Sequence, residues 1–538
     1  MSAASRFGYR SAMTFTENNQ LTPLVTARFL RTLEERVDVP PDRPALAIVA
    51  PFTQNEIGSV PIATADDVRT AVDRARSVGE KWAALPINDR ARIVGRFHDL
   101  LIDRAELALD LVQLEAGKAR VPAMEEVYDA VATTRYYLNT APRLLKRQRR
   151  AVAFPGFSTA WEYRHPRGVV GFIVPWNFPF TLGISDAIPA LLAGNGAVIK
   201  PDEKTPYSTL MAVKLLEEVG LPEGLIQVVT GPGEDIGPPL IDAVDFLMFT
   251  GSTEVGRVVA ERAGRNLISA SMELGGKNAA IVMADVDLDK AIPGISRSVF
   301  ANGGQLCIAM ERIYVDNEIS DEFTTRFIDH VRSLPLSDSY DFSSALSGMI
   351  TAEHVDNVHR HVEDAVERGA TLLTGGKPRP DVGPTFYEPT VLTDVDESMM
   401  VCRAETFGPV VSIYGVDGVE QAIQEANNSS LGLNFSVWTR DTRGGVEVAA
   451  RLEAGTVGVN DGYAAAWSTY DAPMGGWKTS GVSRRHGEGG LLKYTEPQTV
   501  VVQRGIDAFA PFPGMDYPRY QKILGPLLKM MRRMPFYK

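Results

Sequence analysis

The sequence predicts an α/β protein built on a parallel sheet with crossover helices. Three observations predict it. Four short β-type runs follow one another between Gly168 and Gly256, "GVVGFIVPWN", "GAVIKPDEKTP", "LIQVVTGPGEDIG" and "DFLMFTGSTEVG", each passing into Gly, Pro, Asn or Thr. Helical pattern lies between the runs, as in "YSTLMAVKLLEEVG". A second series starts near Glu273 and runs to about Gly475, with "AAIVM", "RIYVD" and "VVSIYG" as strands and "EHVDNVHRHVEDAVERG" as a helix. Apolar strands alternating with helices mark a sheet covered on both faces. In such sheets ligands bind beyond the carboxyl ends of the strands, where these polar termini gather.

Upstream, residues 1 to about 40 are mixed and polar and read as a partly mobile arm. Two helical segments follow, one over Ala65 to Leu85 and one over Asp89 to Gly117, each with apolar residues at helical spacing. At 538 residues the chain can bury a large core and divide into several domains. A net charge of -12 argues against a nucleic-acid partner, which calls for a basic face. Two cysteines cannot build a disulfide framework, so a reducing compartment is expected. The first twenty residues lack the apolar core of a secretion signal, and no run of apolar residues is long enough to span a membrane. A cytoplasmic protein is the expectation.

The two cysteines have different surroundings. Cys307 sits in "FANGGQLCIAMER", directly after a turn rich in glycine and amide side chains. A thiol kept for packing needs no such neighbours, whereas a reactive one needs backbone donors and access. Cys402, in "MMVCRAE", has nothing around it that suggests activation. "FTGSTEVG" offers a strand end, Gly251, then Ser252 and Thr253 as caps of a helix whose free N–H groups suit a phosphate. "TGPGEDIG" spaces Gly231, Gly233 and Gly237 one residue away from the dinucleotide fingerprint and reads equally well as a tight turn. "IVPWNFPF" puts the Asn177 amide just past a strand, and "MELGGKN" puts Glu273 ahead of two glycines. His354, His359 and His361 lie on one helix at spacings that do not suit a metal pair, and they read as a solvated face. No metal is expected.

Taken together, "PWNFP", "KPDEKTP", "FTGSTEVG", "MELGGKN", "GGQLC", "ETFGPV" and "PMGGWKTSG" stand in the order and approximate spacing of the aldehyde dehydrogenase superfamily, which the chain resembles over roughly residues 45 to 500. The resemblance implies a Rossmann-type parallel-sheet cofactor domain, an α/β catalytic domain and a small oligomerisation hairpin. On that plan 1–40 is an arm, 41–272 the cofactor domain with 145–167 in the hairpin, and 273–480 the catalytic domain. Residues 481–505 then return to the cofactor domain or the hairpin, and 506–538 are a tail. The resemblance further implies that Cys307 is the nucleophile. Its oxyanion would rest between Asn177 and the Cys307 N–H, and Glu273 would activate the hydrolytic water. Lys200 counts among both the catalytic and the cofactor residues. Lys200 and Glu203 would hold the adenosine ribose, Ser252 would meet the pyrophosphate and Glu405 the nicotinamide ribose, with Phe407 against the nicotinamide; Trp176, Gly251 and Gly256 count among the cofactor-binding residues as well. Gly231 to Gly237 would be a neighbouring turn.

A carboxylate at Glu203 can accept hydrogen bonds from both ribose hydroxyls and repels a 2′-phosphate, so NAD is the expected cofactor, with NADP possible. Within the family, "GGQLCIAMERIYV" and "KYTEPQTV" look most like bacterial succinate-semialdehyde dehydrogenases of the second type. The arginines that hold a substrate carboxylate in that activity are replaced by Ser185 and Ala301. A neutral or long-chain aldehyde is therefore the alternative substrate, and a homodimer or homotetramer the expected assembly.

The tail beyond Val501 carries +5 against -12 for the chain. Its stretch "YQKILGPLLKMMRRMPFYK" alternates apolar and basic residues on a helical spacing that Gly525 and Pro526 interrupt. It is read either as a peripheral membrane contact or as a segment packed on a neighbouring subunit.

Overall fold

The computed structural model describes residues 20–40, 42–152, 158–504, 510–511 and 513–533. The four β-type runs between Gly168 and Gly256 form the strands Val169–Ile173, Gly196–Lys200, Ile226–Val228 and Phe246–Thr250, and Ser269–Glu273 joins them. These five pair in parallel, with Val169–Ile173 between Gly196–Lys200 and Phe246–Thr250. The chain thus runs outward to one side and then to the other, and the carboxyl ends flanking that change of direction open a crevice. A short strand, Gly481–Val482, closes the Glu273 edge in antiparallel pairing. Every residue of Gly196–Lys200 and of Phe246–Thr250 is buried, as a sheet covered by helices on both faces requires.

The second series builds a seven-stranded sheet in the order Thr371–Thr374, Thr390–Thr393, Val410–Val416, Met310–Asp316, Asn278–Val282, Asn434–Trp438, Thr456–Val459. All neighbours are parallel except the first pair. A third, antiparallel sheet joins Gln148–Arg150, Ser158–Pro166 and Thr495–Gln503. Only four residues, 274–277, separate Glu273 at the end of the first sheet from Asn278 at the start of the second.

Four expectations need correction. The helix expected over 89–117 is two, Ile87–Asp103 and Ala105–Ala116, because Arg104 leaves helical geometry (φ -107°, ψ 10°). The first buries one stripe, Arg90, Val94, Phe97 and Leu101, whereas the second is buried almost all round, so the chain re-aims between them. Residues 20–40 of the expected arm are packed: Thr26 caps the helix Ala27–Glu34, and Val25, Leu30 and Leu33 are buried. Residues 1–19 lie outside the described residues. In the tail, Gly525 and Pro526 do not interrupt the helix, which runs unbroken over Tyr517–Met531 with Asp516 as its cap. Tyr520 and Met531 are buried along it, with Leu524 and Leu527 half-buried on the same line. Residues 505–509 and 534–538 lie outside the described residues. The histidines, finally, are not a solvated face: His361 is buried, and His354 bonds the Phe407 carbonyl through Nε2 at 2.8 Å.

Candidate active site

The loop that carries Cys307 is fixed before the cysteine is reached. After the helix Leu288–Phe300 the chain turns through three consecutive residues of left-handed geometry, Asn302 (φ 53°), Gly303 (φ 63°) and Gly304 (φ 74°). A Cβ at Gly304 would lie 2.0 Å from the Gly408 carbonyl oxygen, so only glycine fits there. Gln305 then locks the turn. Its Nε2 donates to the carbonyls of Asn302 and Gly348, each at 3.0 Å, and its Oε1 accepts from Ile350 N at 2.9 Å. Asn278 Nδ2 holds the carbonyls of Cys307 and Ala309, both at 2.8 Å. Asn434 bridges Asn278 Oδ1 and the Ile308 carbonyl. The backbone on both sides of Cys307 is thus anchored by amides while the half-buried thiol forms no disulfide.

Asn177 reaches the same loop from the end of the Val169–Ile173 strand. Its Nδ2 donates to the Gln305 carbonyl at 3.0 Å, and Asn302 Nδ2 steadies the Asn177 carbonyl at 3.3 Å. A primary amide has two N–H groups, so one remains for a ligand oxygen near Cys307.

Glu273 ends its strand buried, and its Oε1 has no hydrogen-bond partner among the described residues. Burial pushes its carboxyl up to about 7, against the pull of the Arg485 and Lys493 cations. Burial also pushes the Cys307 thiol up to about 12, helped by the Glu405 charge and opposed by Arg485. Glu405 itself rises to about 8, again through burial, with Glu311 as the next cause. Its Oε1 accepts from Gly276 N at 2.9 Å, and a Cβ on Gly276 would lie 2.6 Å from the Cys307 carbonyl oxygen. The two glycines of "MELGGKN" therefore let Glu405 and the cysteine loop close on one short stretch of backbone.

The crevice of the first sheet holds the remaining expected residues. Lys200 Nζ lies 3.3 Å from Glu203 Oε2, and Lys204 Nζ lies 3.4 Å from Glu203 Oε1. Burial works against the Glu203 charge, but Lys204 and Lys200 outweigh it and hold the carboxyl below its usual range. Ser252 is the cap of the helix Thr253–Arg265, accepting from Val255 N at 3.3 Å. Gly251 and Gly256 are close-approach positions: a Cβ would meet the Phe249 ring at 2.7 Å and Leu274 at 2.4 Å respectively. Gly231 (φ 141°) is a turn leading into the helix Gly233–Ala243. Trp176 lies edge-on to Phe407, with ring centres 5.5 Å apart, and to His354 at 5.6 Å. Phe407 N donates to Glu311, which pairs with the buried Lys277.

This donor set fits a dinucleotide. It offers a capped helix start for phosphate, a lysine–glutamate pair at a strand end for a ribose, and a second carboxylate with aromatic neighbours beside the thiol. Some participants had no sequence signal of their own. Asn434 and Arg485 are polar residues whose burial depends on partners far along the chain. Among the described residues no His, Cys, Asp and Glu cluster could hold a metal ion, and no helix is long and apolar enough to cross a membrane.

Comparison with known proteins agrees with this geometry. Residues 39–500 match the family model described as the aldehyde dehydrogenase family. A protein of Mycobacterium ulcerans, provisionally named succinate-semialdehyde dehydrogenase [NADP(+)] 2, is 48% identical over 493 residues, covering 92% of this chain and 95% of its own. A similarly named protein of Mycolicibacterium smegmatis is 48% identical, covering 90% and 93%. Among solved structures, betaine aldehyde dehydrogenase of Staphylococcus aureus in complex with NAD+ superposes with a TM-score of 0.82 at 31% identity, covering 90% of this chain and 99% of that one. The chain therefore belongs to the aldehyde dehydrogenase family and is an NAD(P)-dependent enzyme of small-molecule aldehydes.

Proposed function

We propose that Cys307 oxidises its aldehyde through a covalent thioester. The observation that carries this is the anchored loop: amides fix the backbone around the thiol, and Asn177, bonded to the Gln305 carbonyl two residues before it, keeps a second N–H to donate. The Cys307 thiol, pushed up to about 12 by burial, passes its proton to water as its sulfur adds to the aldehyde carbonyl, and the oxygen, now negative, is held by Asn177 Nδ2 and the Cys307 N–H. One such donor contributes about a hundredfold or more in rate. The bound nicotinamide dinucleotide supplies the acceptor for the hydride that leaves the substrate carbon, and a thioester remains on Cys307. Glu273 takes a proton from water, the water oxygen attacks the thioester carbonyl, the C–S bond breaks, and the carboxylic acid leaves with the thiol restored. A carboxyl near 7 suits that step, being a strong enough base yet ionised in a useful fraction at neutral pH.

The substrate proposed first is succinate semialdehyde or a close analogue, supported by the names of the mycobacterial relatives. A second reading, a neutral or long-chain aldehyde, is favoured by Ser185 and Ala301. The Ser185 hydroxyl lies 2.7 Å from Thr181 Oγ1 and offers no cation to a carboxylate. Comparing kcat/KM for succinate semialdehyde with that for uncharged aldehydes of equal length tests the two. A higher value for the uncharged series overturns the first reading.

For the cofactor we propose NAD as the preferred form: Glu203, the residue proposed for the adenosine ribose, is held ionised by Lys204 and Lys200, and a carboxylate there repels a 2′-phosphate. The proposed setting is the cytoplasm. The proposed assembly is a homodimer or homotetramer built through the three-stranded sheet, whose Thr495–Gln503 strand exposes Val500, Val501 and Val502. The tail helix is proposed as a subunit contact in preference to a membrane contact, since Tyr520 and Met531 are already covered. Ending the chain at Arg504, which leaves the Thr495–Gln503 strand whole, should then change the number of subunits in the assembly. An unchanged number together with loss of sedimentation on anionic vesicles would favour the membrane.

A further inference from the structure

A cation buried beside the reacting groups takes no part in the thioester chemistry. Arg485 is buried, and its place follows from the sheet. The Gly481–Val482 strand pairs with Met272 and Glu273, and Arg485 N and O then bond Met474 O and N at 2.6 and 2.9 Å. Its backbone is thereby tied next to the strand that ends in Glu273. The guanidinium is fixed at both ends. Nε and Nη2 reach Asp186 Oδ2 at 2.9 and 2.7 Å, and Nη2 also donates to Thr250 Oγ1 at 2.6 Å. Thr250 is the register partner of Glu273 in the neighbouring parallel strand, so the two side chains leave the sheet on one face. A guanidinium bonded to Thr250 is thus held beside the Glu273 carboxylate.

The remaining charges complete the picture. Lys493 Nζ lies 3.9 Å from Asp186 Oδ1 and 3.3 Å from Ser271 Oγ on the Glu273 strand. The half-buried Arg484 adds a weaker positive charge to the field at Glu273 and bonds the carbonyls of Gly476 and Ser483. The Cys307 thiol feels the charges of both Arg485 and Glu273. Asp129, whose carboxyl burial pushes up to about 7, feels Arg485 from the other side. His486, pushed down to about 4 by burial, and the buried phenols of Tyr137 and Tyr494 carry no charge at neutral pH. Inside the cluster two cations, Arg485 and Lys493, meet the partnered anion Asp186. An ionised Glu273 is the second anion that balances them. Buried charges are stable only when balanced in this way.

We propose that Arg485, clamped by Asp186 and Thr250, is a positioning residue that stabilises the ionised, water-accepting form of Glu273. This rests on the assignment of Glu273 as the base. Arginine cannot itself relay a proton, because its guanidinium stays charged throughout the working range. Its role is electrostatic, and the Thr250 hydrogen bond sets the distance at which the charge acts.

The test is the pH dependence of kcat in the full-length enzyme, measured from about pH 5 to about pH 9. The acid limb should reflect Glu273. In Arg485→Met its midpoint should rise by at least about one pH unit, and Arg485→Lys should restore most of the shift. Thr250→Val keeps every charge and removes only the tether. It should move the midpoint the same way by less, and it carries the test if Arg485→Met does not fold. Glu273→Gln separates the two ideas. If the acid limb persists in Glu273→Gln, the assignment of the base has failed. If Glu273→Gln loses the limb while neither Arg485→Met nor Thr250→Val shifts it, only the role of Arg485 has failed, and lower rates at an unmoved midpoint would mark Arg485 as structural.

Discussion

Asn278 Nδ2 holds the carbonyl of Cys307 at 2.8 Å, although Asn278 begins a strand of the second sheet and Cys307 lies 29 residues further on. The same nitrogen takes the Ala309 carbonyl, and the side-chain oxygen accepts from Asn434 N at 3.0 Å. One side chain therefore sets the direction of the backbone from which the Cys307 thiol projects. Asn278→Leu should leave several buried polar groups unpaired, at about 1–3 kcal/mol each, and lower kcat by at least about tenfold with a smaller change in KM. Steady-state kinetics and thermal melts check it. Wild-type kcat with lowered stability would mean that the amide serves only the fold.

Gly304 gives a second handle on the same loop. Its φ of 74° and the Gly408 carbonyl leave no room for a Cβ. Gly304→Ala should cost about 1–3 kcal/mol of strain and displace Cys307, which lowers turnover more than cofactor affinity. Isothermal titration with NAD beside kcat measurements separates the two effects. The mutation at Gly233, where a Cβ would meet only Lys200 Nζ at 3.7 Å, should be far milder for catalysis.

Glu203 should decide between the cofactors. Its ionised carboxylate is flanked by Lys200 and Lys204, and in the proposed ribose site it should accept the ribose hydroxyls and repel a 2′-phosphate. Glu203→Ser removes the repulsion and leaves both lysines free to meet a phosphate. The kcat/KM ratio of NADP to NAD should rise by at least about tenfold. A wild-type enzyme that already favours NADP would contradict the preference.

The pH dependence of turnover follows from Glu273. Below its folded value of about 7 the carboxyl is protonated and cannot accept a proton from water; above it the carboxylate is available. Activity should therefore rise with pH through about 7 and level off on the alkaline side. In Glu273→Gln the acid limb should vanish along with most of the steady rate, leaving a burst of reduced cofactor. A Glu273→Gln enzyme without a burst would place the slow step before the thioester.

Much of this site was legible in the sequence, and the reason is local. The strand ends at Asn177, Lys200 and Gly251 are written in short apolar runs followed by turn residues, and the glycines around Glu273 and Cys307 mark close backbone approach. What stayed hidden depends on distant partners. "GVSRRHGEGG" reads as a polar loop, and only Asp186, 299 residues away, makes Arg485 a buried cation. His354 looked solvated because its helix is polar on that side, until Trp176 and Phe407 were folded over it. The unbroken tail helix misled for a different reason. A proline removes one hydrogen bond, and the covered line Tyr520, Leu524, Leu527 and Met531 offsets that loss.

The assignment of Cys307 as nucleophile is the central claim, and the mass of the trapped intermediate tests it most directly. Glu273→Gln enzyme mixed with aldehyde and NAD, then quenched in acid, should gain the mass of one acyl group, and digestion should locate it on the peptide containing Cys307. Cys307→Ala should gain none and should oxidise no aldehyde, while Cys402→Ala behaves as the parent does. An acyl group on Cys402, or steady oxidation by Cys307→Ala, would contradict the mechanism.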